Sequence, residues 1–138
     1  MVNGFVADAN VFIAAILPER GSAAAINILA SARSVRMPTL CQTEVAHILL
    51  RQVRRQLLSY GEAEAAFATF LAIPNLHREI DPVFEHSIFK IALDRNLGSN
   101  DLIYTLLAQR FDLPLVTADA GLLANASGLC QCVDLRTL

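Results

Sequence analysis

The sequence predicts one α/β domain whose central sheet is parallel and covered by helices. Two observations predict it. Short apolar runs alternate with helical stretches along the whole chain, the pattern that strand–helix–strand units produce. The 138 residues also fit one ordinary domain and leave no room for two. A domain of this size buries roughly two-thirds of the surface its unfolded chain exposes. With 54% of its residues hydrophobic, it sustains a core without disulfides or a structural metal.

Each element follows in order. Val2 to Ala7 is the first strand, ended by Asp8-Ala9-Asn10, and Val11 to Leu17 begins a helix that Pro18 stops. Gly21-Ser22 opens a second helix, Ala23 to Ala32, and Val35 to Met37 is a short strand before Pro38. The longest helical pattern runs from Cys41 to Leu58 and is closed by Ser59-Tyr60-Gly61. Glu62 to Ala72 is helical, and Leu76 to Ile80 is a short strand. Asp81 and Pro82 read as the N-cap and first position of a helix that continues to Arg95. Gly98 ends it, and Ser99 caps the next helix, which reaches Phe111. Leu113 to Thr117 is a strand, Asp119 to Ala126 a short helix and Cys130 to Leu135 the last strand. No repeat, low-complexity segment or linker interrupts this order.

Composition excludes several classes. The apolar content and 17% charged residues rule out disorder and collagen-like or Pro/Gly-rich chains. The longest apolar run, Val11 to Leu17, is seven residues, far short of a membrane span. No basic segment with a cleavage site opens the chain, so no signal peptide is expected. Three cysteines, Cys41, Cys130 and Cys132, are too few for a disulfide framework. A reducing cytoplasm is the compartment these features imply. Net charge is −2 and the pI about 5.8, so any nucleic-acid contact must be local rather than a general basic coat. So few charges must cover about 7,000 Å² of folded surface. An apolar patch covered by another subunit or partner is therefore expected.

Four of the thirteen acidic residues fall at one kind of place. Asp8 and Asp119 end strands; Glu44 and Asp101 lie early in helices that follow or precede strands. In a parallel sheet the strand C-termini and helix N-termini share one edge. From Ser99 the helix descends about 20 Å at 1.5 Å per residue, and the following strand climbs back about 20 Å at 3.3 Å per residue. Asp101 and Asp119 thus return to the same edge, and crossover geometry sends Asp8 and Glu44 there as well. Any one of these acids could be an ordinary helix cap. Capping does not require that four converge. Carboxylates that close raise one another's pKa unless something neutralises them, and no Lys or Arg lies within five residues of Asp8, Asp101 or Asp119. A divalent cation fills that role, and all-oxygen ligation suits Mg²⁺ or Mn²⁺. Asn10 and Thr117, two residues from Asp8 and Asp119, could orient a carboxylate or a water, or serve as plain turn residues.

Other constellations carry less. Glu44-x-x-His47 has a di-iron spacing but no second copy, and His47 is expected at the helix surface or core edge. Cys130-x-Cys132 is no zinc site without further Cys or His pairs; the two thiols read as small core residues. Arg51, Arg54 and Arg55 form the one dense basic cluster and share a helix face. They are a candidate phosphate contact on the rim of an acidic crevice, or a solvated helix surface.

These blocks resemble the PIN-domain ribonucleases, and among them the small VapC-type toxins of toxin–antitoxin pairs. The first block is Val6-Ala7-Asp8-Ala9-Asn10-Val11-Phe12, the second Met37-Pro38-Thr39 through Glu44-Val45-Ala46. The third is Leu97-Gly98-Ser99-Asn100-Asp101, and the fourth Leu115-Val116-Thr117-Ala118-Asp119. They stand in order over nearly the whole chain. Asn10 and Asn100 replace residues more frequent in the family, but no carboxylate is missing. The resemblance implies a three-layer α/β/α sandwich with a mainly parallel central sheet, filling residues 1–138 as one PIN-like nuclease domain. It implies hydrolysis of RNA phosphodiester bonds with Mg²⁺ or Mn²⁺ held by Asp8, Glu44, Asp101 and Asp119, a homodimer, and an antitoxin partner. The apolar helices Ala23–Ala32 and Glu62–Ala72 are the expected dimer or antitoxin surfaces. Two alternatives stand beside this reading. One is a PIN-type RNA-processing nuclease without an antitoxin. The other is a receiver-like signalling domain with an acidic Mg²⁺ pocket, which normally needs a Lys near its end, whereas the only lysine is Lys90.

Overall fold

The computed structural model describes residues 3–138; Val2, placed in the first strand by the sequence pattern, lies outside them. Twelve elements follow in chain order: β1 (Phe5–Ala7), α1 (Ala9–Ile16), α2 (Ser22–Ser31), β2 (Val35–Pro38), α3 (Thr39–Arg54), α4 (Tyr60–Leu71), β3 (Leu76–Glu79), α5 (His86–Arg95), α6 (Ser99–Phe111), β4 (Leu115–Thr117), α7 (Ala120–Ala126) and β5 (Cys132–Asp134). The five strands form one sheet in the order β3-β2-β1-β4-β5, and every pairing is parallel. Right-handed crossovers explain the layers. From β1 the chain steps twice to one side, to β2 and β3, then returns past β1 to β4 and β5. The direction reverses, so α1–α4 pack together on one face and α5–α7 gather on the other. The expected α/β/α sandwich is present.

The core explains why these runs are strands. Phe5, Val6, Ala7, Val35, Met37, Leu115 and Val116 are all fully buried, as in a sheet covered on both faces. Phe12 of α1 meets Phe70 of α4 edge-on at 5.0 Å between ring centroids, which pins two helices of one layer. Gly4 precedes β1 with φ +129, and a Cβ there would lie 2.3 Å from the Ser34 hydroxyl; only glycine lets the two strands start side by side.

The helix ends differ from the sequence pattern, each for a local reason. α1 begins at Ala9, because the Asp8 side chain accepts from the Ala9 amide and caps it. α3 stops at Arg54 rather than Leu58, and Gln56 then takes a left-handed φ of 60. Ser59 and Glu62 form a reciprocal capping box, so α4 starts at Tyr60. Gly98, not Ser99, holds the N-cap position of α6. The largest correction concerns Asp81 and Pro82, which cap no helix: α5 begins at His86. The Asp81 carboxylate instead accepts from the Leu40 amide and the Thr39 hydroxyl, both at 3.0 Å, and so serves the start of α3. The last strand is also shorter than Cys130–Leu135. Cys130 and Cys132 are half-buried at the sheet edge rather than in the core, with sulfurs 3.8 Å apart.

Apolar exposure is found on the expected helices and beyond them. The inner faces of α2 and α4 are core: Ala25, Ile28, Leu29, Ala63, Ala66 and Phe70 are buried. Ile26 of α2 and Leu71 of α4 are exposed, as are Leu50, Leu57 and Tyr60 around the α3–α4 junction, and Ile80, Val83, Phe84, Phe89 and Leu93 form a further exposed group on and before α5. No helix of the described residues is long and apolar enough to cross a membrane.

Candidate active site

In open parallel sheets, ligands sit outside the strand C-termini where the winding direction reverses. Here that point lies between β1 and β4, which are paired through Val6–Leu115 and Ala7–Val116. The Asp8 amide donates to the Val116 carbonyl at 3.0 Å. This extends the ladder by one residue and brings Asp8 beside Thr117.

A closed hydrogen-bond network fixes Asp8. Its Oδ1 accepts from the Ala9 amide at 2.7 Å. Its Oδ2 accepts from Asn10 Nδ2 at 3.0 Å and from the Thr117 hydroxyl at 2.8 Å. Asn10 Nδ2 also donates to Thr117 Oγ1 at 3.1 Å, and Asn10 Oδ1 accepts from the Ala118 amide at 3.1 Å. Thr117 Oγ1 in turn accepts from the Asp119 amide at 3.0 Å. Asn10 and Thr117, expected near the carboxylates, tie the ends of β1 and β4 together around Asp8.

The other three acids reach the same crevice from helices. Asp119 caps α7, its Oδ1 accepting from the Gly121 amide at 2.8 Å and the Leu122 amide at 3.3 Å. Glu44, in the second turn of α3, faces α6: Oε1 accepts from the Tyr104 hydroxyl at 2.6 Å, and Oε2 from Asn100 Nδ2 at 3.3 Å. Asp101 stands in the first turn of α6, half-buried. Among the described residues nothing donates to its carboxylate; only its backbone carbonyl is engaged, by the Thr105 hydroxyl at 2.9 Å.

The acids interact. Burial raises the Asp8 pKa, opposed by its hydrogen bonds and reinforced by the charges of Glu44 and Asp119. Asp101 is pushed up to about 6, first by burial and then by the charges of Asp8 and Asp119. Asp8 thus lies within charge range of Glu44 and Asp119, and Asp101 within range of Asp8 and Asp119. Tyr104 and Asn100 were missed. The available signal for Tyr104 was its position three residues after Asp101, on the same helix face.

Not every candidate joins them. Arg51, Arg54 and Arg55 are exposed at the far end of α3, about 10–16 Å along the axis from Glu44 at 1.5 Å per residue. They are not brought to the crevice, because a helix that starts at the strand C-termini ends at the opposite edge. His47 is exposed. A cation the sequence did not suggest is nearer: β5 pairs Asp134 with Thr117, and Arg136 follows two residues later.

The donor set fits Mg²⁺ or Mn²⁺. Among the described residues, no three carboxylates, imidazoles or thiols already stand close enough to form a metal cage. Mg²⁺ does not need one, since it keeps several waters and is held by one or two carboxylates together with substrate phosphate. Carboxylates with donors behind them, destabilised by one another's charge, are the arrangement such a cation relieves.

Comparison with known proteins agrees with this geometry. Residues 5–128 match the PIN domain family. Ribonuclease VapC1 of Mycobacterium tuberculosis, from strains CDC 1551 / Oshkosh and ATCC 25618 / H37Rv, is 34% identical over 130 residues, 91% of this chain and 93% of the relative. The fold is shared with PAE2754 from Pyrobaculum aerophilum, at TM-score 0.74 and 22% identity over 99% of this chain and 94% of that one. It is also shared with VapBC2 from Rickettsia felis bound to a promoter DNA fragment, at TM-score 0.64 and 13% identity over 95% and 98% of the two chains. FitAcB from Neisseria gonorrhoeae gives a TM-score of 0.63 at 15% identity over 97% and 99%. The receiver-like alternative requires the strand order 2-1-3-4-5, which this sheet does not have. On the family match, and on its identity to a ribonuclease over nearly its full length, the chain belongs to the PIN domain family.

Proposed function

We propose that the chain is a Mg²⁺- or Mn²⁺-dependent ribonuclease, the toxin of a toxin–antitoxin pair, acting as a homodimer in the cytoplasm. One observation supports the catalytic part: at the switch point of the sheet Asp8 feels the charges of Glu44 and Asp119, and Asp101 those of Asp8 and Asp119. The antitoxin partner is supported by the relatedness to Ribonuclease VapC1.

Each residue has a share of the work. Asp8 is the fixed anchor, since Ala9, Asn10 and Thr117 hold both its oxygens. Tyr104 and Asn100 position Glu44 across the crevice. Asp101, with no donor of its own, is the carboxylate whose charge most needs the cation. A divalent cation held by Asp8, Glu44, Asp101 and Asp119 would supply neutralisation of phosphate charge and activation of water. The test is cleavage of end-labelled structured RNA by purified protein with Mg²⁺ or Mn²⁺, against EDTA. Cleavage that EDTA abolishes supports the reading; cleavage that survives EDTA sinks it.

Tyr104→Phe isolates the positioning of Glu44. It removes the 2.6 Å hydrogen bond and leaves the buried ring in place. Cleavage is expected to fall about tenfold, with weaker Mn²⁺ binding, as for other partners that orient metal ligands. Unchanged rate and metal affinity would mean that Glu44 needs no such support.

The homodimer is supported by the apolar patch on α5 and the segment before it. Phe84 and Phe89 stack edge-to-face at 6.4 Å, with Val83 and Leu93 exposed beside them. A buried Phe contributes about 1.5–3 kcal/mol, so Phe89→Glu should weaken dimerisation by at least tenfold. Sedimentation velocity checks it; a wild-type monomer, or a variant that dimerises equally well, contradicts it.

A further inference from the structure

A pocket of about 450 Å³ opens beside the carboxylates, between the α1–α2 turn and the segment after β5. Asn10 and Ala118, which belong to the network around Asp8, form its wall toward the crevice. The floor is apolar, built from Ala14, Ala24, Leu135 and Leu138; Arg20 and Arg136 stand at its rim, and the Glu19 carboxylate lines it beside Arg20. Its volume lies in the range of small-ligand sites, which pair an apolar lining with a few placed polar groups.

The two arginines are set differently. Arg136 is locked in place: Asp134 accepts from its Nε at 2.9 Å and its Nη2 at 2.8 Å, and the Arg136 amide donates to the same carboxylate at 2.9 Å. That fork fixes the guanidinium and leaves Nη1 directed elsewhere. Arg20 is exposed and has no carboxylate within ion-pairing distance among the described residues. The turn that carries it is itself built, since the Ser22 hydroxyl donates to the carbonyls of Leu17 and Glu19 and accepts from the Glu19 amide. Two guanidinium groups against one carboxylate, Glu19, leave the rim net positive beside an apolar floor, one wall away from an acidic crevice; this matches a nucleotide, with its base on the floor and its phosphate on the rim.

We propose that this pocket holds the nucleotide adjoining the scissile phosphate, with Arg20 and Arg136 contacting that nucleotide's outer phosphate. The proposal rests on the ribonuclease reading and adds the place where RNA specificity is set. Arg51, Arg54 and Arg55, at the other end of α3, have no part in it.

Binding of a short fluorescent single-stranded RNA to the Asp101→Asn protein, without divalent cation, tests it apart from cleavage. Arg20→Gln and Arg136→Gln should each weaken binding about fivefold and lower the salt slope by about one unit per lost phosphate contact. Arg136→Lys should behave like Arg136→Gln, because lysine lacks the fork. Arg33→Gln, at the opposite edge of the sheet, is the charge-matched control and should change nothing. Equal RNA affinity in the Arg20→Gln/Arg136→Gln double variant overturns the proposal, as does an equal loss in the control. A glutamate-rich peptide that binds these arginines more tightly than the RNA also overturns it, in favour of a protein partner. Failure of the ribonuclease reading is seen separately, as wild-type protein that binds RNA through this pocket yet leaves it intact with Mn²⁺.

Discussion

Asp101→Asn is expected to lower RNA cleavage on the order of 10²–10³-fold and, in the same protein, to raise the melting temperature without metal by about 3 °C at pH 7.5. Both effects have one cause. Asp101 is half-buried near Asp8 and Asp119, and its carboxyl is pushed up to about 6 by burial and by their charges. At pH 7.5 it is ionised in an unfavourable place. Asparagine keeps the shape and removes the charge, so the fold relaxes while the cation loses a ligand. Such opposition between stability and activity is usual where a site is built for a ligand. Paired melting curves and single-turnover cleavage check it. A variant that loses activity and also melts lower would make Asp101 a structural residue; one that keeps activity would remove it from the site.

Removal of the divalent cation is expected to abolish cleavage and to expose an inverted pH dependence of stability. The folded-state pKa of Asp101 lies above its ordinary value of 3.8, and that of Asp8 is raised as well. Between the unfolded and folded values the native state binds more protons. The stability these groups contribute is therefore full below the usual carboxylate range and is lost as pH rises through about 6. Metal-free protein should melt progressively lower from pH 5 to pH 7.5. Asp134 and Glu62, whose pKa values are lowered by hydrogen bonds to Arg136 and Ser59, act the other way only at more acid pH. Mn²⁺ competes with protons for the same oxygens. It should flatten the slope and stabilise by roughly 2.7 kcal/mol at a hundredfold excess over Kd. Cleavage at limiting Mn²⁺ should rise over the same pH interval. Scanning calorimetry from pH 5 to 7.5, with EDTA and with Mn²⁺, is the measurement. A metal-free stability that climbs with pH would contradict the proposed crowding of carboxylates.

Most of the architecture was legible because β1, β4 and most of β2 are apolar runs bounded by turn residues, and the parallel topology follows from the helices between the strands; β3, Leu76-His77-Arg78-Glu79, is polar and stands at the sheet edge. The candidate carboxylates were singled out on the same reasoning: strand ends and helix starts are local features, and a parallel sheet sends both to one edge. What the sequence hid were partners set by register and by tertiary contact. Asp81 reads as a local N-cap, yet its carboxylate serves Thr39 and Leu40, more than forty residues earlier. Tyr104 looks like a core aromatic; its hydroxyl function depends on α6 facing α3. Arg136 comes within charge range of Asp119 only because Thr117 pairs with Asp134, which a pattern of apolar residues does not specify. Arg51, Arg54 and Arg55 are the converse case. Their sequence nearness to Glu44 suggested a rim, but a helix leading away from the site carries them off.

Direct titration of Mn²⁺ into the protein at pH 7.5, followed by calorimetry, tests the central claim that these four carboxylates together create a divalent-cation site. The account predicts saturable binding to wild type. It also predicts binding at least tenfold weaker for Asp8→Asn, Glu44→Gln, Asp101→Asn and Asp119→Asn taken singly, all of them folded. Mn²⁺ affinity indifferent to those four substitutions, or no binding to wild type with RNA present, would contradict it.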